Sequence, residues 1–212
     1  TSGKPRVQVR RSVSSIFSKW LCSSGSEKAG FEFVWKITGR DKAFKMQFYP
    51  GIGYILIFAF IIVFKSGKDL YTTFNNMPQS NLFLWLIYLP VFMISSSIRI
   101  INSSENYQAA WIYYSAPLKY PGSILSGSLK ALLTKFYMPT FLIMFAFSFY
   151  IWGPAIIDDF MFGFFNNLII FLLIQVFSDH YLPFSQQQNI KVQSGKFAML
   201  ILQFVVIALL VG

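Results

Sequence analysis

Few residues in this 212-residue chain have the types and spacing that chemistry needs. Asp179 and His180 stand side by side, and a carboxylate beside an imidazole can prepare a general base. No Ser or Cys nucleophile is marked out for that base, so a surface loop pair is the simpler account. Asp158 and Asp159 offer two adjacent carboxylates, but a cation needs further oxygen ligands, and a solvated turn fits them better. Gly122 and Gly127 have the spacing of the two glycines of a phosphate-binding loop. Ser128 stands where that loop's Lys must follow, and Lys130 comes two residues late. Any ATP that drives the protein is therefore hydrolysed on another chain. The single cysteine, Cys22, excludes an internal disulfide framework and a multi-cysteine metal site. It follows an apolar helical face beside basic residues, a setting open to palmitoylation, though a buried or idle thiol is the expectation. The chain is read as no enzyme, with no catalytic, cofactor-binding or metal-ligating residue assigned.

The elements that carry these residues are overwhelmingly apolar. Hydrophobic residues make up 55% of the chain and aromatic ones 19%, with 25 Phe, while only 12% are charged. Soluble domains run at about a quarter charged, and a domain of this size leaves roughly a third of its surface exposed. A membrane protein follows. Crossing a bilayer core takes about 20 apolar helical residues, and five stretches approach that length: about 47–64, 82–101, 136–155, 160–178 and 197–212. The expectation is an all-α integral membrane protein of about five transmembrane helices. Residues 1–46 form a basic cytoplasmic or interfacial segment and 47–212 the transmembrane domain. Pro90 and Pro139 are expected to kink their helices without breaking them, since membrane neighbours satisfy the freed carbonyls. Opening on Thr1 and stopping inside an apolar run, the sequence reads as a piece of a longer protein or one processed at its start.

Charge orients the spans. Ten Lys or Arg precede the first, Arg99, Lys119, Lys130 and Lys135 flank the loop after the second, and Lys191 and Lys196 follow the fourth. These put 16 of the 18 basic residues on one side, with Lys65 and Lys68 on the other. By the positive-inside rule the N-terminus is cytoplasmic; the expected location is the inner, or plasma, membrane. The net charge of +10 then faces a bilayer with anionic headgroups, and no nucleic-acid partner is expected.

No Asp, Glu, Lys or Arg falls in the middle of a span, which argues against an ion-coupled carrier working alone. The polar residues that could line a path include Ser95, Ser96, Asn166 and Gln175, and hydrogen bonding between helices is their plainer role. In the N-terminal segment, Val13, Ile16, Phe17, Trp20 and Leu21 fall on one helical face beside Arg10, Arg11 and Lys19. That face suits equally a helix lying in the membrane interface and one packed on another part of the protein. Ser23–Ser26 reads as a flexible linker, and residues 31–45 as an amphipathic elbow with Trp35 at headgroup depth. Between the second and third spans, a run from Ser104 to Pro117 gives a short aromatic helix at the cytoplasmic surface. Pro121 starts the next helix, which runs through Lys130 into the third span.

The run Ser104–Pro117, followed by Pro121, Gly122, Gly127 and Lys130, resembles the membrane subunit of a bacterial ABC-type exporter. The basic aromatic approach from Phe33 to Pro50 is similar to the same subunits. The resemblance covers about half the chain through short, degenerate patterns, and the family usually has six or more spans where five are visible. It implies a permease coupled to a separate ABC-type ATPase subunit. Glu105, Tyr107, Trp111 and Tyr114 would then lie on the coupling helix that docks on that partner. A second permease chain, or a homodimer, would complete the path. Two other readings stay open: a non-transporting membrane scaffold or assembly protein, and a membrane-embedded enzyme around Asp179 and His180.

Overall fold

The computed structural model describes residues 12–64, 81–104, 121–177 and 181–187, with Gln108 and Ser115 as isolated positions. These residues are mostly helical, as an apolar chain that must satisfy its own backbone groups requires. Helix α1 (Val13–Leu21) starts after Ser12, which stands in extended conformation and whose carbonyl accepts from the Ser15 N–H and hydroxyl. Helix α2 (Gly25–Ile37) is capped by Ser24, whose hydroxyl accepts from the Glu27 N–H at 3.2 Å. The residues expected as a flexible linker are therefore an ordered helix start. Small polar side chains loosen a chain only when nothing binds them, and here Ser24 and Glu27 form an S-x-x-E cap.

Helix α3 (Lys42–Phe64) carries Pro50 inside it, and α4 (Phe83–Asn102) carries Pro90. Neither proline ends its helix. Helix α5 (Pro121–Leu132) places its first proline where no N–H is needed. It runs without a break through a π-turn (Leu133–Tyr137) into α6 (Met138–Trp152). The π-turn ends one residue short of Pro139, which lacks the N–H that an α-helical ladder would demand there. Gly153, at a φ of 72°, and a tight 3-10 turn (Gly153–Ile156) reverse the chain into α7 (Ile157–Phe177).

Ring contacts show how these helices lie. Tyr137 with Phe164, Phe141 with Phe160 and Phe164, and Phe145 with Phe160 pair α6 and α7 as an antiparallel hairpin. Helix α4 lies against both arms, with Phe83 beside Trp152 at the turn and Ile87 pressed on Gly163 farther along. It thus runs parallel to α7. Phe44 and Phe48 of α3 close on Phe136, Leu86 and Met144. After α7 the chain returns to the far end of α4. There Phe184 N–H donates to Ile101 O, and Ser103–Ser104 and Gln186–Gln187 pair in parallel as two-residue strands. Phe184, at a φ of 59°, is buried against Phe33 of α2. So α2, the C-terminal end of α4 and the segment after α7 gather at one end of the bundle.

Among the described residues one helix, Pro121–Val176 when followed through its tight turns, is long and apolar enough to cross a membrane. Its 56 residues would extend about 84 Å if straight, but the reversal at Gly153 leaves α7 as a 21-residue arm of about 32 Å. That matches a hydrocarbon core of about 30 Å. Beyond the exposed Asp158 and Asp159 at the start of α7, the outer faces of the hairpin carry Leu142, Ile143 and Phe147 on α6, and Met161, Phe162, Phe165, Ile169, Leu172, Leu173 and Val176 on α7. Polar side chains such as Asn167, Ser148 and Gln175 point inward.

Candidate functional site

The most densely bonded part of the structure is the seam between α2 and α5. The two helices run parallel and touch backbone to backbone. A methyl added at Gly127 would collide with the Glu27 carbonyl, and one at Gly30 with the Ile124 carbonyl. This is the close approach that small residues permit between helices. Around the contact sits a polar cluster. Glu27 accepts from the Lys130 ammonium at 2.6 Å, from the Ser126 hydroxyl at 3.0 Å and from the Ser23 N–H at 2.7 Å. Ser26 and Ser123 share a hydrogen bond of 2.6 Å, and Lys130 also donates to the Leu21 carbonyl that ends α1.

The Lys130 hydrogen bond is the main reason the Glu27 carboxyl is pulled down from 4.5 to about 2. Burial opposes it, and the Ser23 and Ser126 donors assist. Cys22 is buried beside this cluster, and burial, then the Glu27 charge, raises its thiol pKa. A second lysine serves the other end of α2. Lys135 donates to the Trp35 carbonyl at 2.7 Å and to the Thr38 hydroxyl at 2.8 Å, and lies over the Trp35 ring. A cation there answers the free carbonyls and negative dipole end of α2, as Glu27 answers its N-terminus. Two lysines of one rod thus hold both ends of α2.

Deeper in the bundle a polar band crosses three helices. Asn167 donates to the Ile87 carbonyl at 2.8 Å, one residue after Leu86, whose carbonyl lacks the helical donor that Pro90 cannot supply. Asn166 donates to the Tyr88 hydroxyl at 3.0 Å. The Tyr137 hydroxyl and the Asn167 Oδ1 are both buried, and neither meets hydrogen-bond geometry with a neighbour. Ser148 Oγ and Gln175 Oε1 are buried and unpartnered at other levels.

The residues expected to carry function fare unequally. Glu105, Tyr107, Trp111 and Tyr114 lie outside the described residues, as do Asp179, His180 and the stretch 197–212. Ser95 and Ser96 fall on α4, but their side chains are outside the description. Asn166 is engaged between helices, while Gln175 presents an unpartnered buried oxygen. Asp158 and Asp159 open α7 in its first turn, where its dipole favours carboxylates. Among the described residues no cluster of three metal-ligating side chains occurs. Glu27, Lys135, Tyr88 and Tyr137 did not stand out as candidates in the sequence. The Ser24–Glu27 capping signature could have flagged Glu27, and Gly122 and Gly127 drew attention for a phosphate loop they do not make and for the exporter resemblance, not for a close helix contact. No family model, curated protein or solved structure matches the chain.

Proposed function

We propose that the chain is the membrane-spanning permease subunit of an ATP-driven exporter, worked by an ABC-type ATPase on a separate chain. The observation that carries this reading is the uninterrupted rod from Pro121 to Trp152. Its lower part is clamped to α2, and its upper part forms one arm of a hairpin with an apolar exterior and polar groups inside. The segment that the resemblance assigns to ATPase docking, with Glu105, Tyr107, Trp111 and Tyr114, directly precedes this rod in the chain.

In this proposal the outer faces of α3, α6 and α7 meet lipid, and the helices over 47–64, 82–101, 136–155 and 160–178, with the stretch 197–212, are five spans. The α2 end of the bundle lies in the cytoplasm and the membrane is the inner membrane. Five spans are too few to enclose a path, so a second permease chain or a homodimer completes it, with Ser95, Ser96, Asn166 and Gln175 as candidates to line it. A push on the docking segment would enter the rod at Pro121 and move the hairpin against α4.

The test is purification of the full-length protein from native membranes in mild detergent, with identification of what accompanies it. An ATPase that co-purifies and is lost when Trp111 and Tyr114 are changed to Ala supports the permease. Absence of an ATPase under conditions that keep other complexes intact refutes it and favours the scaffold reading.

A further inference from the structure

The sequence leaves open what the apolar face of α1 touches, and the structure narrows the choice. A surface amphipathic helix ordinarily turns its apolar stripe to the protein. Here α1 does the reverse. Ser14 and Ser18 are buried toward α2, with the Ser18 hydroxyl donating to Glu32 at 3.3 Å. Val13, Ile16, Phe17, Trp20 and Leu21 are all exposed, Trp20 at 88%. Serine is small enough to let the α1 and α2 backbones approach; at the edge of that contact Phe17 stacks on Trp35 of α2, ring centroids 5.8 Å apart, while Val13, Ile16 and Trp20 are left exposed.

Three features say what covers it. First, Lys130 ties the Leu21 carbonyl to the rod eight residues before α6 begins, about 12 Å along a helix. This sets α1 at the boundary of the apolar hairpin rather than far from it. Second, α1 contains no acidic residue, Lys19 stands on it exposed, and Arg10 and Arg11 immediately precede it. Third, Trp20, the most exposed of the five, is a residue that settles at headgroup depth.

We infer that α1 is a lipid-docking surface, its Val13–Leu21 face immersed in an anionic leaflet and its serine face carrying α2. The lipid headgroups neutralise Arg10, Arg11 and Lys19 while the acyl boundary takes the apolar stripe. The inference rests on the membrane placement of the α6–α7 hairpin, and not on ATP-driven transport. It also gives α2 a base: the clamp that grips the rod is itself held against the bilayer.

Spin labels test it in the full chain, reconstituted in vesicles of phosphatidylethanolamine and phosphatidylglycerol. Single cysteines at Ile16, Lys19, Trp20 and Leu172 on a Cys22→Ser background carry the label. Oxygen, which concentrates in lipid, and a water-soluble nickel chelate report what each label meets. Labels at 16 and 20 should favour oxygen and lie about 5–10 Å below the phosphates, with the label at 19 favouring the chelate. Replacing phosphatidylglycerol by phosphatidylcholine should make 16 and 20 shallower. Chelate access at 16 and 20 would overturn the inference in favour of water. Exclusion of both reagents there would overturn it in favour of a protein partner. The label at Leu172, exposed on α7, separates the two levels of failure. Oxygen access at 172 without it at 16 and 20 removes only the α1 surface, whereas chelate access at 172 removes the membrane placement itself.

Discussion

Replacing Glu27 by Gln removes the charge from the α2–α5 seam while keeping its shape. The amide oxygen can still accept from Ser126 or the Ser23 N–H, so what is lost is the charge-assisted bond to Lys130. The native carboxyl is lowered from 4.5 to about 2, which caps the contribution of its charge at about 3 kcal/mol. The Lys130 side chain is 37% exposed, and solvent screening reduces the expected loss to about 1–2 kcal/mol. That corresponds to roughly a 5- to 30-fold rise in the opening equilibrium of α2. Hydrogen exchange of the α2 amides reads this directly, because local opening needs no global unfolding.

The pH dependence has a fixed sign. The folded pKa lies below the unfolded one, so the stabilisation is full above about 4.5 and disappears as pH falls through about 2. A cycle with Lys130→Met and the double variant isolates the pair. If Glu27→Gln leaves α2 exchange within about twofold of native, or if the two substitutions simply add, the clamp is not electrostatic and the reasoning fails.

Two further outcomes follow from the same seam. Gly127→Ala places a methyl against the Glu27 carbonyl, and separating two backbones should cost about 1–3 kcal/mol, seen as a lower unfolding midpoint in detergent and faster α2 exchange. Cys22, buried and with its thiol pKa raised by burial, should react with maleimide at least about tenfold more slowly than in the denatured chain. Glu27→Gln should speed that labelling by loosening the cluster around it.

Much of the helical order was legible because apolar runs and prolines speak locally. The run 82–101 became α4 (Phe83–Asn102), and Pro121 opened a helix because its missing N–H costs nothing at a first turn. The π-turn was not legible, although Pro139 hints that the ladder must adjust nearby. Least legible was the seam. Ser26 meets Ser123, and Lys135 meets Trp35, across about a hundred residues of chain, and no periodicity encodes which distant helix a serine or lysine will reach. The sense of α1 was hidden for a related reason. Its pattern showed two unlike faces, but which one turns inward depended on the close fit of Ser14 and Ser18 against α2.

The seam also decides how a force could travel. Helices α2 and α5 touch at both glycines and are bonded at both ends, so α1, α2 and α5 form one stiff body. Above them, α6 is fastened to α7 through the Tyr137, Phe141 and Phe145 rings. Between the two bodies lies the π-turn Leu133–Tyr137, whose Lys135 bonds α2, whose Tyr137 packs on Phe164 of α7, and whose widened ladder is followed by Pro139, which has no N–H. In the proposed permease, motion from the docking segment would therefore bend the rod at the π-turn and leave the seam closed. A disulfide between Ser26→Cys and Ser123→Cys, on a Cys22→Ser background, would join atoms that already share a hydrogen bond. It should leave the nucleotide turnover of the assembled complex within about twofold of the reduced form. Turnover that collapses on oxidation and returns on reduction would show that α2 and α5 must part during the cycle, and the single stiff body would have to be abandoned.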